Sequence, residues 1–497
     1  MDRPTALDLV FLDLETAQAP LHVGWTLRFG VGPTGGPPSL AALRRHLDER
    51  LHTVPRFRRR LVAAGPLGLG GPSWVDDPGF DVAHHVFGLS VPAPGGVEQL
   101  REVAGALLSK PLPAGRPLWR IYLVDGLDGG GFALVGQAHH ALVDGIAAIE
   151  VALLLFGPAA AEDHAAWAPG APPADGAALR DIAGVRARAA AGAARDVAEA
   201  MLKAATPDSV QDAAAGGTAV RAARGVAAAL QGATRAVEGF ARPEAPTALE
   251  RSATARRAIA YADVPLDAAR EAGRSRGATI NDVLLAATSV ALRSALRRRG
   301  DAQDGVRALV PVNVRAGEGP ALGNRISFLP VELPVGEPDP GRVLMIVRAR
   351  AAAAKAGRDA GALEALGRAA DALPGAGRRL IARSALRAVP FTLVVSNVPG
   401  PPVELALLGR PLRAIHPMVP LLHGHALTIG AVSYDGRIHV GLAADAEVVP
   451  DVVDIARDLE AAFDALRLGR AGGDTPPPGV TPWSARARAR RQRAANR

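Results

Sequence analysis

Runs of β-branched and aromatic residues bounded by glycine recur in the first third of the chain, at His22 to Phe29, Ile121 to Val124 and Phe132 to Ala138. They predict strands. Between the first two, Ser39 to His52 carries Leu40, Leu43 and Leu51 on a related face, with Ser39 placed as an N-cap and Pro55 just beyond the end. That pattern predicts a helix, and the mixture of periods predicts an α/β architecture. From about Ala159 to Pro243 the pattern gives way to Ala, Gly, Arg and Asp, broken by Pro169, Pro172 and Pro173; this segment reads as a helical crossover or linker. Mixed order resumes with a strand at Ala258 to Val264, a helix from Asn281 to Arg299 stopped by Gly300, and strands at Val306 to Val314 and Phe328 to Leu333. The last strands are expected at Leu393 to Ser396, Leu427 to Tyr434 and Ile438 to Ala443, with Asp435 and Gly436 turning the final hairpin. The division that follows is an N-terminal domain over residues 1–158, an Ala-rich helical linker or insert over 159–250, a C-terminal domain over 251–470 and a Pro/Arg-rich disordered tail over 471–497.

A chain of 497 residues exceeds what one core supports, in keeping with two large domains. Hydrophobic residues at 48% and charged residues at 21% are ordinary globular usage. Cysteine is absent, which excludes disulfide scaffolds, thiolate metal sites, iron–sulfur clusters and cysteine nucleophiles. The net charge of +8 is concentrated: Arg486, Arg488, Arg490, Arg491, Arg493 and Arg497 supply six, and 8 − 6 leaves +2 for the rest. The tail therefore offers contact with anionic lipid or plain solubility. Aromatic residues at 4% show no base-stacking pattern, which argues against a nucleic-acid partner. Met1 to Glu15 lacks the charge layout of a signal peptide, and the apolar stretch Ile146 to Ala161 carries Glu150 and Pro158 and is too short to span a bilayer. A cytoplasmic protein, free or peripheral on the plasma membrane's inner face or on lipid bodies, is expected.

Candidate chemistry centres on Phe132 to Phe156, where an apolar strand runs into His139, His140, Ala141, Leu142, Val143, Asp144 and Gly145 before a helix. Adjacent strand side chains face opposite ways, so one imidazole is expected in a cleft and the other packed behind it. Asp144 at a helix start also reads as an N-cap, with Gly145 permitting tight entry. Two histidines and one carboxylate without a further ligand cluster do not predict a metal site.

His-His-x-x-x-Asp-Gly resembles the active-site motif of the CoA-dependent acyltransferase superfamily, which includes chloramphenicol acetyltransferase-like enzymes and peptide-synthetase condensation domains. From about Thr5 to Leu468, apart from the Ala-rich middle, the chain resembles the bacterial wax ester synthase/diacylglycerol acyltransferases. The resemblance rests on the opening Leu7 to Gly24, on Pro117 to Trp119 preceded by Ser109 to Pro113, and on Asn281 to Ala286. Further matches are Pro311 to Arg315, Gly323 to Ser327, Ser396 to Pro401 and Ser433 to Pro450. It departs at Pro113 to Arg116, where relatives more often carry Asp with Arg, and over Ala159 to Val237, which has no counterpart.

The resemblance implies two chloramphenicol acetyltransferase-like domains with a helical crossover and an active-site channel between them. It implies no cofactor, acyl-CoA as co-substrate, and diacylglycerol or a fatty alcohol as acceptor, giving triacylglycerol or wax ester. His140 becomes the general base within a catalytic motif of His139, His140, Asp144 and Gly145; an imidazole with pKa near about 6.5 is largely unprotonated at neutral pH and suits the role. Asp144 would organise the loop by pairing with an arginine, for which Arg116, Arg120 and Arg315 are candidates. Asn281, Asp282, Ser396 and Asn397 are candidates for substrate binding or oxyanion donation by chemical type. The bland alternatives are that Asn281 caps its helix after Thr279 and that Ser396 and Asn397 form a turn before Pro399 and Gly400. Rival functions are acyl transfer to a polyketide or glycolipid hydroxyl, and a non-catalytic lipid-surface protein retaining the fold. Gly273 to Gly277 imitates a nucleophile elbow but follows a helical stretch, and Gly30 to Gly35 imitates a dinucleotide loop but is followed by prolines. His84 and His85 lack a following Asp-Gly and are expected on a surface or in packing.

Overall fold

His22–Phe29 forms β1 as expected, and it becomes an interior strand because segments far apart in sequence pair on both of its edges. The computed structural model describes residues 4–33, 35–63, 72–143, 145–157, 247–251, 254–313, 326–356 and 391–468. The Ala-rich segment, the arginine-rich tail, Asp144 and Arg315 lie outside the described residues.

In the first half, α1 (Ala6–Leu14) precedes β1 and α2 (Leu40–Arg50) follows it. Then come β2 (Arg59–Ala63), β3 (Pro72–Asp76), β4 (Val86–Ser90), α3 (Val97–Leu108), β5 (Trp119–Asp125), β6 (Phe132–His139) and α4 (Gly145–Phe156). The second half begins with β7 (Arg257–Pro265), α5 (Leu266–Arg274), α6 (Ile280–Arg298), β8 (Val306–Asn313), β9 (Ile326–Leu333) and α7 (Pro340–Ala356). It ends with β10 (Leu393–Pro399), β11 (Ala406–Leu407), β12 (Arg410–Met418), β13 (Leu427–Tyr434), β14 (Arg437–Asp445) and α8 (Val452–Leu468). Helix starts follow local chemistry: the Ser39 hydroxyl accepts the Ala42 N–H at 3.1 Å, and Thr5 and Asp8 cap each other at the start of α1. Asp435 and Gly436 both take positive φ, 46° and 70°, the conformation a two-residue hairpin turn requires.

Among the described residues two six-stranded sheets result, ordered β11-β12-β1-β6-β5-β4 and β7-β14-β13-β10-β8-β9, with β2 and β3 as a separate ribbon. The first sheet is completed from the second half of the chain: β12 pairs antiparallel with β1, placing Thr26 opposite His416. Without it, β1 would present an open row of amide and carbonyl groups. The seam is close enough to demand glycine, since a Cβ on Gly441 of β14 would stand 2.0 Å from the Pro417 carbonyl oxygen of β12. Beneath the second sheet, α6 buries Val283, Leu284, Leu285, Leu292 and Leu296 in one core, while Leu43, Leu47, Trp119 and Phe132 belong to the core of the first half. Among the described residues no helix is long and apolar enough to cross a membrane.

Candidate active site

β6 delivers the two histidines to one end of the first sheet. His139, its last residue, lies opposite His22 of β1; the chain then turns, with the Leu142 N–H donating to the His139 carbonyl at 2.8 Å, before α4 starts at Gly145. The rings part as strand alternation requires. His139 is 1% exposed, whereas His140 lines a cavity of about 330 Å³. Two contacts fix the His140 ring and its backbone: its N–H donates to the Leu21 carbonyl at 2.8 Å, and Phe11 of α1 stacks on the imidazole with ring centres 4.0 Å apart and planes 19° apart.

Behind this turn His139 is fixed by polar contacts. Its Nδ1 accepts the Ala141 N–H at 3.0 Å, so in the neutral ring the proton sits on Nε2, 3.7 Å from Glu15 Oε2. His22 Nε2 stands 3.4 Å from the other Glu15 oxygen. Burial pushes the Glu15 carboxyl up, and its contacts with His139 and His22 more than reverse this, holding it at about 2. Burial also lowers His22 below the usual imidazole value. An ionised carboxylate thus sits between two buried rings. The Pro117–Trp119 element braces the same place: the Leu118 carbonyl accepts the His139 N–H at 2.9 Å, and the Trp119 indole donates to the Phe57 carbonyl at 2.7 Å.

Both halves wall the cavity. Val23, Trp25 and Leu27 of β1 come from the first sheet, and Val312 of β8 with Ser396 and Asn397 of β10 from the second; Pro417 and Met418 of β12 lie between. The lining is mainly apolar, with a few polar groups, the usual make-up of a small-molecule site. Ser396 and Asn397 lie on strand β10, which continues to Pro399, so the turn reading fails for them. Neither side chain is hydrogen-bonded to another described residue.

Asn281 and Asp282 do not line this cavity. They occupy the first turn of α6, where Thr279 is the N-cap and the Asp282 carboxylate accepts the Thr279 N–H and hydroxyl at 2.8 Å each. A capping box consumes the carboxylate that chemical type had suggested for substrate, and Asn281 is not the cap. Among the arginines proposed for Asp144, Arg116 is exposed and Arg120 places its guanidinium 5.6 Å from the Phe87 ring centre. His85 is buried between Phe80 and Trp119 and its Nδ1 lies 2.9 Å from the Trp119 carbonyl, a packing role. Gly273 to Gly277 falls at the end of α5, and Gly32 bridges Gly35 within a loop.

Sequence reasoning missed a second cluster, Asp263 of β7, His416 of β12 and His439 of β14, whose polar atoms lie within 4.8 Å of one another. His416 Nε2 and His439 Nδ1 approach the same oxygen, Asp263 Oδ1, at 3.0 and 2.5 Å. The outward nitrogens, His416 Nδ1 and His439 Nε2, are buried with no partner among the described residues. A metal held by the inward atoms would turn those nitrogens into N–H donors facing no acceptor, contrary to the outer support that ligating imidazoles need. Two N–H groups donated to one carboxylate leave bare acceptor nitrogens outside, a cheaper arrangement. Burial raises the Asp263 carboxyl, but its hydrogen bonds with His416 and His439 carry it far below the usual range, and burial lowers His416. The trio is a hydrogen-bonded clasp across the seam.

Two curled sheets meeting at an apolar cavity, with one imidazole of a His-His turn on its wall, define the chloramphenicol acetyltransferase-like class of acyl-transfer folds. The structure resembles the wax ester synthase/diacylglycerol acyltransferase from Marinobacter aquaeolei VT8, with a TM-score of 0.66 and 23% identity over 94% of this chain and 99% of that one. It also resembles the first condensation domain of the CDA synthetase, with a TM-score of 0.56 and 17% identity over 94% and 96% of the two chains. Residues 5–284 match the wax ester synthase/diacylglycerol acyltransferase catalytic domain, and residues 322–467 match the C-terminal domain of the same family. A probable diacylglycerol O-acyltransferase of Mycobacterium tuberculosis (strain H37Rv) is 31% identical over 473 residues, 94% of this chain and 96% of that protein. The chain belongs to the wax ester synthase/diacylglycerol acyltransferase family and is an acyltransferase.

Proposed function

We propose that this protein moves a long acyl group from acyl-CoA to the free hydroxyl of diacylglycerol, and to long-chain alcohols, with His140 as general base. The observation that carries the reading is the His140 ring on the wall of a mainly apolar cavity built by both halves. An oily acceptor and an acyl chain both gain by leaving water for such a lining. As the hydroxyl oxygen attacks the thioester carbonyl, His140 takes its proton; the new C–O bond forms, the C–S bond breaks, and the proton passes to the departing sulfur. No acyl-enzyme is needed. Charge on the carbonyl oxygen calls for donors, and the Ser396 hydroxyl and Asn397 amide line the cavity. Holding both substrates in one cavity supplies the part of the rate that general-base help does not. The names of relatives such as the mycobacterial protein support diacylglycerol as acceptor. Such acceptors reside in membranes and lipid bodies, and arginines 486–497 suit an anionic lipid surface on the cytoplasmic side.

Purified protein given palmitoyl-CoA with dioleoylglycerol and hexadecanol is expected to form triacylglycerol and wax ester, resolved by product analysis. His140→Ala should lower kcat by about 10²–10⁴-fold while the protein stays folded. Absence of transfer to both acceptors, or full activity in the variant, would overturn the proposal.

A further inference from the structure

Beyond the groups already assigned to the reaction, the cavity lining includes a polar side chain with no duty yet given, that of Trp25. Trp25 of β1 lines the cavity beside Val23 and Leu27, while Thr26 between them faces away, its hydroxyl 3.0 Å from that of Tyr261. The indole lies across Gly136, its register partner on β6: a Cβ there would stand 2.2 Å from Cε2 and 2.5 Å from Nε1. The missing side chain at Gly136 is what lets the ring lie against the sheet. Elsewhere in this half, the Trp119 N–H is consumed by the Phe57 carbonyl, and Trp74 Nε1 is sealed in the interior. The Trp25 N–H has no hydrogen-bond partner among the described residues and belongs to a residue that lines the cavity.

Its position suits a particular part of the acceptor. Trp25 stands three residues along β1 from His22, which is paired with His139. At roughly 3.3 Å per residue its backbone is about 10 Å from the end of β6, where His140 begins, and both residues line the one cavity. Diacylglycerol carries ester carbonyls a few bonds from its free hydroxyl; a fatty alcohol carries none. We infer that the Trp25 indole N–H donates to an ester carbonyl of the acceptor, so that this residue favours diacylglycerol over acceptors without that group. The inference rests on the acyl-transfer reading above and names the acceptor feature recognised.

A comparison of 1,2-dioleoylglycerol with its dioleyl diether tests this, because the ether retains shape and hydroxyl but lacks the carbonyls. Wild-type enzyme with palmitoyl-CoA should prefer the diester about threefold to tenfold in kcat/KM, the size of one neutral hydrogen bond, and Trp25→Phe should bring the ratio close to one. The ratio does not depend on the folded fraction, and the wild-type comparison stands if the variant fails to fold. Equal use of diester and diether by the wild type, or a wild-type ratio in Trp25→Phe, overturns the inference while leaving acyl transfer intact. Failure of the wild type to acylate either glycerolipid also overturns this inference, and failure with hexadecanol as well removes the parent reading.

Discussion

Phe11 covers one face of the His140 imidazole, its ring centre 4.0 Å from that of the imidazole. Its consequence is orientation: with the ring plane fixed, the nitrogen that must meet the hydroxyl does not search. Phe11→Leu keeps an apolar group there and removes the stack, so kcat should fall about twofold to tenfold with little change in the KM for acyl-CoA. A loss of thermal stability with kcat intact would reduce Phe11 to packing. The split between His139 and His140 was legible in the sequence, because strand alternation depends on neighbouring positions alone. The capping of α6 by Asp282 was not read because chemical type does not show what already occupies a carboxylate, although Thr279 three residues earlier was a readable capping signal. Trp25 was legible as part of a strand; Gly136 beneath it was not, because that contact depends on pairing with β6.

Among elements, β1 and β13 form over the expected residues, and the Asp435–Gly436 turn sits between its strands, since local pattern and local geometry agree there. α1 was not foreseen: nine residues give a weak helical period, and what holds it is packing of Phe11 and Leu14 on Leu21. β12 was also unforeseen. Pro411 and Pro417 spoil its strand pattern, and nothing local reveals that it crosses to the first sheet beside β1. Its approach to β14 leaves no room at Gly441, so Gly441→Ala must force the Pro417 backbone away. We expect a loss of about 1–3 kcal/mol in unfolding free energy by denaturant titration, with reduced activity because Pro417 also lines the cavity. Wild-type stability in this variant would show that the seam yields more easily than its geometry implies.

Over the whole molecule, buried titratable groups make the fold sensitive to acid. Burial lowers His22, His46, His85 and His416, so the native state resists protonation that the unfolded chain accepts below pH about 6.5. More protons bound by the unfolded state means that stability falls as pH falls. Glu15, at about 2, and Asp263 act in the same direction at lower pH: their stabilisation is complete above the ordinary carboxylate range and lost on descent through it. The melting temperature should therefore decline from pH 7 to 5 and more steeply below about 4.5, as followed by circular dichroism. A flat profile from pH 8 to 5 would contradict this.

The crossing of β11 and β12 into the first sheet makes the two halves partners rather than neighbours. A gene cut between the codons for residues 158 and 246 should yield two fragments that work when co-expressed and fail apart, because the earlier one lacks the strand that closes its edge. Reassembly of such fragments would turn this fold into a reporter whose signal depends on their meeting.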